Sequence, residues 1–240
     1  MKTGKNIIVS IIIPTYNEAK YLPELFAQIN LLKKEIKTND KFKFEVILID
    51  DGSTDETKKI CKSFDCQYVY QKNKGKGSAV RSGVSKAKGD FVVVLDADME
   101  YAPLDILKFT QKLELQNKES VIYGSRYRKS HFPYIRLWPV RNQSILNLYF
   151  SHFLTILFLI KKRKLITDLL TGLKLYPTVM YKEINPKTNG FETDHEITLA
   201  LAKRRIEIVE IPINYRARTK ADGKKIGVSD AIKAIKMIIQ

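Results

Sequence analysis

Asp96, Asp98 and Glu100 follow the apolar run of residues 91–95 at alternating positions. An extended backbone turns every second side chain to the same side, so this spacing would bring three carboxylates together. Like charges held so close need a cation or strong donors to be tolerable. Mg²⁺ or Mn²⁺ suits such a set, because these ions take oxygen ligands, use one or two protein carboxylates and leave other positions to water or substrate phosphates. A lone Asp-x-Asp is also ordinary turn chemistry after a strand. The surrounding elements separate these two readings.

Residues 7–13 are apolar but for Ser10, mostly β-branched, and continuous, as in a strand covered on both faces, and Pro14-Thr-Tyr-Asn-Glu18 closes them. Leu22, Leu25, Phe26, Ile29, Leu32 and Ile36 then fall at helical spacing. Residues 44–49 read as a second strand ending in Asp50-Asp51-Gly52-Ser53, and Ser53 to Glu56 has the form of a capping box. A short strand at 68–70, a basic loop at 72–77, a helix at 78–88, the strand at 91–95, a helix opened by Pro103 and a strand at 121–123 follow. Strands alternating with helices predict an α/β fold with a mostly parallel central sheet and helices on both faces. Ligands in such folds sit outside the carboxyl ends of the strands, so residues 14–18, Asp50 with Asp51, residues 96–100, and Ser125 with Arg126 are expected along one edge.

The chain has 240 residues, enough for one full core, and 42 Lys plus Arg against 26 Asp plus Glu, a net charge of +16. Anionic partners are therefore expected: nucleic acid, a lipid surface or phosphorylated substrates. Cys61 and Cys66 lack the spacing of a zinc site and read as two reduced thiols. The first residues run directly into a strand, and no secretory leader is expected.

The motifs Ser10-Ile-Ile-Ile-Pro-Thr-Tyr-Asn-Glu18, Ile49-Asp-Asp-Gly-Ser-Thr-Asp55, Gly75-Lys-Gly-Ser-Ala-Val-Arg81, Leu95-Asp-Ala-Asp98 and Gly124-Ser-Arg-Tyr127 together resemble family 2 glycosyltransferases of the GT-A fold. The resemblance is to the polyprenyl-phosphate sugar synthases within that family, and it extends over about residues 7–230. It implies a metal-dependent, inverting transfer from a nucleotide sugar (GDP-mannose or a UDP-hexose) to a dolichyl or undecaprenyl phosphate. By position it places Pro14, Tyr16, Glu18, Asp50, Asp51, Lys76 and Asp96 around the donor. Asp96, Asp98 and Glu100 would hold Mg²⁺ or Mn²⁺, and Ser125, Arg126, Arg141 and Arg218 would meet the lipid phosphate. Asp96, Asp98 and Arg126 would carry the catalytic step.

A phosphate acceptor is already ionised near neutral pH, so positioning can replace a general base. Transfer to a glycan or protein hydroxyl is the alternative, with Asp194, His195 and Glu196 as candidate bases. Nucleic-acid binding is a non-enzymatic alternative; against it, the basic residues are not interleaved with aromatics and no known binding module is present. Nothing in the sequence sets an oligomeric state.

Residues 144–160 form the most hydrophobic run and end in Lys161-Lys-Arg-Lys164, with Asn147, Ser151 and Thr155 recurring every fourth residue. This pattern suits a helix in the membrane interface, drawn by its basic end to anionic head groups, or a core helix under the site; a spanning helix requires the polar stripe to be buried against protein. The expected layout is one catalytic domain over residues 1–227 that includes an amphipathic membrane-interface segment at 142–164, then an amphipathic helix at 228–240. The expected location is the cytoplasmic face of a membrane, with peripheral or monotopic attachment. The basic tail of residues 215–225 reads as a solvated linker or as a flap over bound phosphates.

Overall fold

The computed structural model describes residues 6–36, 41–115, 120–128, 144–218 and 228–239. The chain begins with β1 (Ile7–Thr15), α1 (Leu22–Ile36), β2 (Phe42–Asp50), α2 (Thr57–Cys61), β3 (Gln67–Tyr70), α3 (Lys76–Lys86) and β4 (Phe91–Val94). A 3-10 turn at Pro103–Asp105 leads into α4 (Ile106–Leu115), followed by β5 (Val121–Ser125) and α5 (Ile145–Lys162). The remainder comprises β6 (Lys174–Pro177), α6 (Thr178–Ile184), α7 (Thr193–Lys203), β7 (Ile208–Pro212) and α8 (Val228–Ile239).

Among the described residues the strands form one seven-stranded sheet in the order β3-β2-β1-β4-β6-β5-β7. All neighbours are parallel except β6, which runs antiparallel to both β4 and β5. Alternation along β1 explains the layers. Val9, Ile11 and Ile13 face a core shared with α1, α2 and α4, while Ile12 faces a second core shared with α3, α5, α6, α7 and α8. A strand buried on both faces needs apolar residues at successive positions, as the sequence of β1 has. Ala234 and Ile238 of α8 belong to the second core.

Three local expectations change. Helix α2 starts at Thr57 with no side-chain cap bond, so the Ser53 to Glu56 motif is not a capping box. Instead the Ser53 hydroxyl accepts the Asn17 N–H at 2.9 Å and ties the loop after β2 to the loop after β1. Helix α3 begins at Lys76, two residues before the expected start. The third change concerns α5, whose Ser151 and Thr155 are buried, while Ile145, Leu146, Tyr149, Phe153, Ile156, Leu159 and Ile160 are exposed. Ser151 and Thr155 thus pack inward together with Leu148, Leu154 and Phe158, Asn147 is exposed, and a second, apolar face turns outward.

Candidate active site

The parallel order brings separate loops together. Strand β1 is followed in space by β2 on one side and β4 on the other, so the crevice between β1 and β4 is the switch point where an α/β sheet receives its ligand. Register fixes the neighbours: Thr15 lies opposite Asp50, and Ile12 opposite Val94, two residues before Asp96. Because β6 is antiparallel, its first residue sits at this same edge, with Lys174 opposite Val94.

Beyond β4 the backbone does not stay extended. Met99 has φ +58°, and the Asp98 carboxylate accepts the Glu100 N–H at 3.1 Å, closing a turn. Alternation is therefore lost, and the expected triad of Asp96, Asp98 and Glu100 does not form. Among the described residues no three acidic, histidine or cysteine side chains are grouped to hold a metal ion. Each carboxylate instead meets its own donor. Asp96 takes the Lys76 ammonium at 2.8 Å to Oδ1 and 2.9 Å to Oδ2, and Asp98 takes Arg218 Nη2 at 2.9 Å. Glu100 accepts the Tyr215 hydroxyl at 2.8 Å and the Arg218 N–H at 2.7 Å, one on each oxygen. Burial raises the Asp96 and Asp98 carboxyls above the usual range despite these cations. The same two carboxylates, Asp96 and Asp98, lie at a point built to hold positive charge.

The donor-side residues divide into two groups. Pro14 and the exposed Tyr16 stand at the end of β1, and Glu18 pairs with Arg218 Nη1 at 3.1 Å. Asp50 and Asp51 are buried. Asp50 accepts the Ser53 N–H at 2.8 Å and the Tyr68 hydroxyl at 2.7 Å. Asp51 accepts the Lys74 and Gly75 N–H groups at 2.9 and 2.8 Å, shaping the loop that delivers Lys76. Gly75 has φ +96°, and a Cβ there would lie 2.5 Å from the Asn189 carbonyl oxygen, so only glycine fits this turn. Both aspartates therefore position loops.

On the acceptor side, Arg126 and Ser125 are engaged with protein partners. Arg126 forms a two-pronged pair with Asp168, through Nε at 2.7 Å and Nη2 at 2.6 Å, and its backbone N–H donates to the same carboxylate at 2.9 Å. The Asp168 side chain has 0% exposure and Arg126 only 10%, so the guanidinium braces the loop before β6, its fork already filled. Ser125 is likewise buried, sharing a 2.8 Å hydrogen bond with Thr167. Arg141 lies outside the described residues. Arg218 reaches the acidic side of the crevice and binds Glu18 and Asp98. The groups still share one neighbourhood: the Arg126 guanidinium lies 5.0 Å over the Tyr215 ring, whose hydroxyl binds Glu100.

Lys174 was missed in the sequence. Its side chain is wholly buried, 4.7 Å over the Tyr123 ring, and its ammonium stands 3.7 Å from Asp194 with no hydrogen-bond partner among the described residues. Burial lowers its pKa. A lone lysine inside an apolar run, Leu173-Lys-Leu-Tyr176, is the signal that would have found it, since a buried cation demands an anion. Burial favours protonation of Asp194, but Lys174 and Lys76 outweigh it and hold this carboxyl below the usual range. The other candidate bases are engaged or neutral. Burial holds His195 down at about 4, and Glu196 accepts the Lys187 and Thr188 N–H groups at 2.8 and 2.9 Å.

Residues 10–184 match the family described as Glycosyl transferase family 2. The chain is a family 2 glycosyltransferase. A dolichyl-phosphate beta-glucosyltransferase of Saccharomyces cerevisiae is 30% identical over 259 residues, covering 98% of this chain and 74% of the relative. The human dolichyl-phosphate beta-glucosyltransferase is 29% identical, with coverage of 91% and 69%. A dolichol-phosphate mannosyltransferase of Pyrococcus furiosus is 28% identical, with coverage of 91% and 59%. Among solved structures, glucosyl-3-phosphoglycerate synthase of Mycobacterium tuberculosis in complex with Mn²⁺, UDP and glucosyl-3-phosphoglycerate superposes with a TM-score of 0.71 at 17% identity, over 97% of this chain and 79% of that one. That likeness shows the fold, and this family 2 glycosyltransferase has the GT-A architecture expected from its motifs.

Proposed function

We propose that this glycosyltransferase moves a sugar from a nucleotide sugar to a polyprenyl phosphate, with inversion at the anomeric carbon, at the cytoplasmic face of a membrane. The observation that carries the reading is the cation-compensated pair Asp96 and Asp98 at the β1/β4 switch point. Mg²⁺ or Mn²⁺ fits this donor set. Hard carboxylate oxygens are what such ions use, and the two carboxylates already hold positive charge there. Asp96 and Asp98 would be its ligands, and the ion would supply charge neutralisation for the departing nucleoside diphosphate.

The chain's own residues do the rest. Tyr16 offers an exposed ring to the nucleotide base, Lys76 an ammonium to the diphosphate, and Arg218 a planar fork to phosphate oxygens. The bond from the anomeric carbon to the diphosphate oxygen breaks as an acceptor phosphate oxygen forms the new one. No proton must be removed from that oxygen. This matters because Asp194, the best-placed carboxylate for a base, is compensated by two lysines and so is a weak proton acceptor. A phosphate acceptor is therefore favoured over a hydroxyl. The names of the dolichyl-phosphate relatives agree.

Attachment is proposed through α5, peripheral or monotopic. It is one helix, among the described residues, long and apolar enough to cross a membrane. Its 18 residues span about 27 Å against a hydrocarbon core of about 30 Å. Its outward apolar face and the basic residues Lys161, Lys162, Arg163 and Lys164 suit a helix lying in the interface.

The test is transfer of label from a nucleotide sugar, with Mn²⁺ and vesicles carrying polyprenyl phosphate, into the organic phase on solvent extraction. Label that stays aqueous while a soluble glycan becomes labelled would favour the hydroxyl-acceptor alternative.

A further inference from the structure

After β7 the chain does not leave the site. Asn214 donates its N–H to Asp105 at 2.6 Å, Tyr215 forms an antiparallel bridge with Tyr101, and the Arg216 N–H donates to the Glu100 carbonyl at 2.9 Å. With the Arg218 N–H on Glu100, these contacts lay residues 214–218 as a strap across the turn that carries Asp98. The strap delivers one side chain into the crevice. Arg218 reaches Glu18 and Asp98 with different nitrogens, and its guanidinium lies 5.5 Å over the Tyr21 ring. Side-chain exposure is 11% for Arg218, 8% for Glu18 and 15% for Asp98.

A guanidinium in that position does a metal ion's electrostatic work, because it offsets buried carboxylates that would otherwise repel. It also claims the Asp98 oxygen that a divalent ion would need. Asp98 Oδ2 has two lone pairs, but a divalent ion placed there repels the guanidinium at close range in a poorly hydrated crevice. An arginine moved off a carboxylate in such surroundings needs another anion, and the planar fork that matched a carboxylate matches phosphoryl oxygens equally well.

We propose that Arg218 is a built-in counter-ion which a divalent ion displaces from Asp98, and that this displacement creates a phosphate-binding position. The inference rests on the reading of Asp98 as an ion ligand given above. Its consequence is a coupling: metal loading raises affinity for a phosphoryl group, and by linkage that group raises affinity for the metal by the same factor. The occupant is a phosphoryl oxyanion, supplied either by a lipid phosphate or by the donor's own diphosphate.

Equilibrium binding on the full chain tests this without measuring transfer. Mn²⁺ affinity is titrated by the loss of free-ion paramagnetic resonance, alone, with farnesyl phosphate and with UDP. The parent is expected to bind Mn²⁺ roughly tenfold more tightly with whichever phosphate takes Arg218. Tightening by farnesyl phosphate assigns the lipid source, and tightening by UDP alone, lost in the variant, assigns the donor. Arg218→Gln is expected to bind Mn²⁺ more tightly than the parent in the absence of any phosphate, because the competing cation is gone, and to lose the coupling. Arg218→Lys keeps the charge without the fork, so it should retain a weaker coupling, and it serves should the glutamine variant fail to fold. Equal Mn²⁺ affinities in parent and variants, or phosphate binding indifferent to Mn²⁺, would overturn the exchange. Absence of Mn²⁺ binding in every protein would overturn the ion-ligand reading itself and the exchange with it.

Discussion

Replacing Asp168 with alanine tests whether Arg126 is a brace. The carboxylate is wholly buried and receives three hydrogen bonds from one arginine, at 2.6, 2.7 and 2.9 Å. Removing it strands a guanidinium that is only 10% exposed. Breaking a buried pair in this way costs about 3–5 kcal/mol, because the remaining charge is uncompensated. Stacking of Arg126 on the Tyr127 and Tyr215 rings at 5.2 and 5.0 Å retains some stabilisation, which points to the lower end, about 3 kcal/mol. For a chain of this length that lowers Tm by roughly 6–12 °C. Urea unfolding provides the assay, read as a shift in midpoint at constant slope. The double variant Arg126→Met with Asp168→Leu should recover most of the loss, since no lone charge remains. A loss under about 1 kcal/mol for Asp168→Ala, or a double variant as unstable as the single one, would refute the brace.

Three further outcomes follow from the same geometry. The His195 imidazole is held at about 4, against 6.5 when free. Between these values the unfolded chain binds the extra proton, so this residue's contribution to stability is present above pH 6.5 and falls away as pH drops towards 4. Stability of the parent should thus fall by about 2 kcal/mol more between pH 7 and pH 5 than that of His195→Gln, measured by urea unfolding at each pH; parallel profiles would contradict it. Gly172→Ala would put a Cβ 2.8 Å from Asp96 Oδ2 and 3.1 Å from the Tyr101 ring. Transfer should drop on the order of 10²-fold with the fold retained by circular dichroism, and undiminished transfer would show that the position of Asp96 is not critical. Phe153→Glu with Ile156→Glu places charge on the outward face of α5. Co-flotation with anionic vesicles should be lost while Tm changes little, and unchanged flotation would remove α5 from the membrane contact.

The sheet was legible because its signal is periodic. Apolar runs in β1, in residues 46–49 of β2 and in β4, each closed by polar turn residues, state both the strand and the edge at which it ends. The helical stripe of α1 was equally plain, and all six of its expected residues are buried. Strand β6 was hidden because a four-residue run does not state its direction, and its antiparallel entry is what brings Lys174 to the site. Charge pairing was hidden for another reason. Arg126 meets Asp168 across 42 residues and Arg218 meets Glu18 across 200, and no period in the sequence links such partners. The Asp-x-Asp-x-Glu spacing did not show that the backbone turns after Asp98, where one left-handed residue, Met99, undoes the alternation. Helix α5 had the right composition for a membrane contact, but only the packing of Ser151 and Thr155 against the protein settles which face looks outward.

The most direct measurement is anomalous diffraction at the manganese edge from crystals grown with Mn²⁺ and the nucleoside diphosphate. A peak at the carboxylates of Asp96 and Asp98, with the diphosphate against it and Arg218 off Asp98, is the predicted result. A diphosphate bound with Lys76 and Arg218 still on those carboxylates, and manganese elsewhere or nowhere, would contradict it.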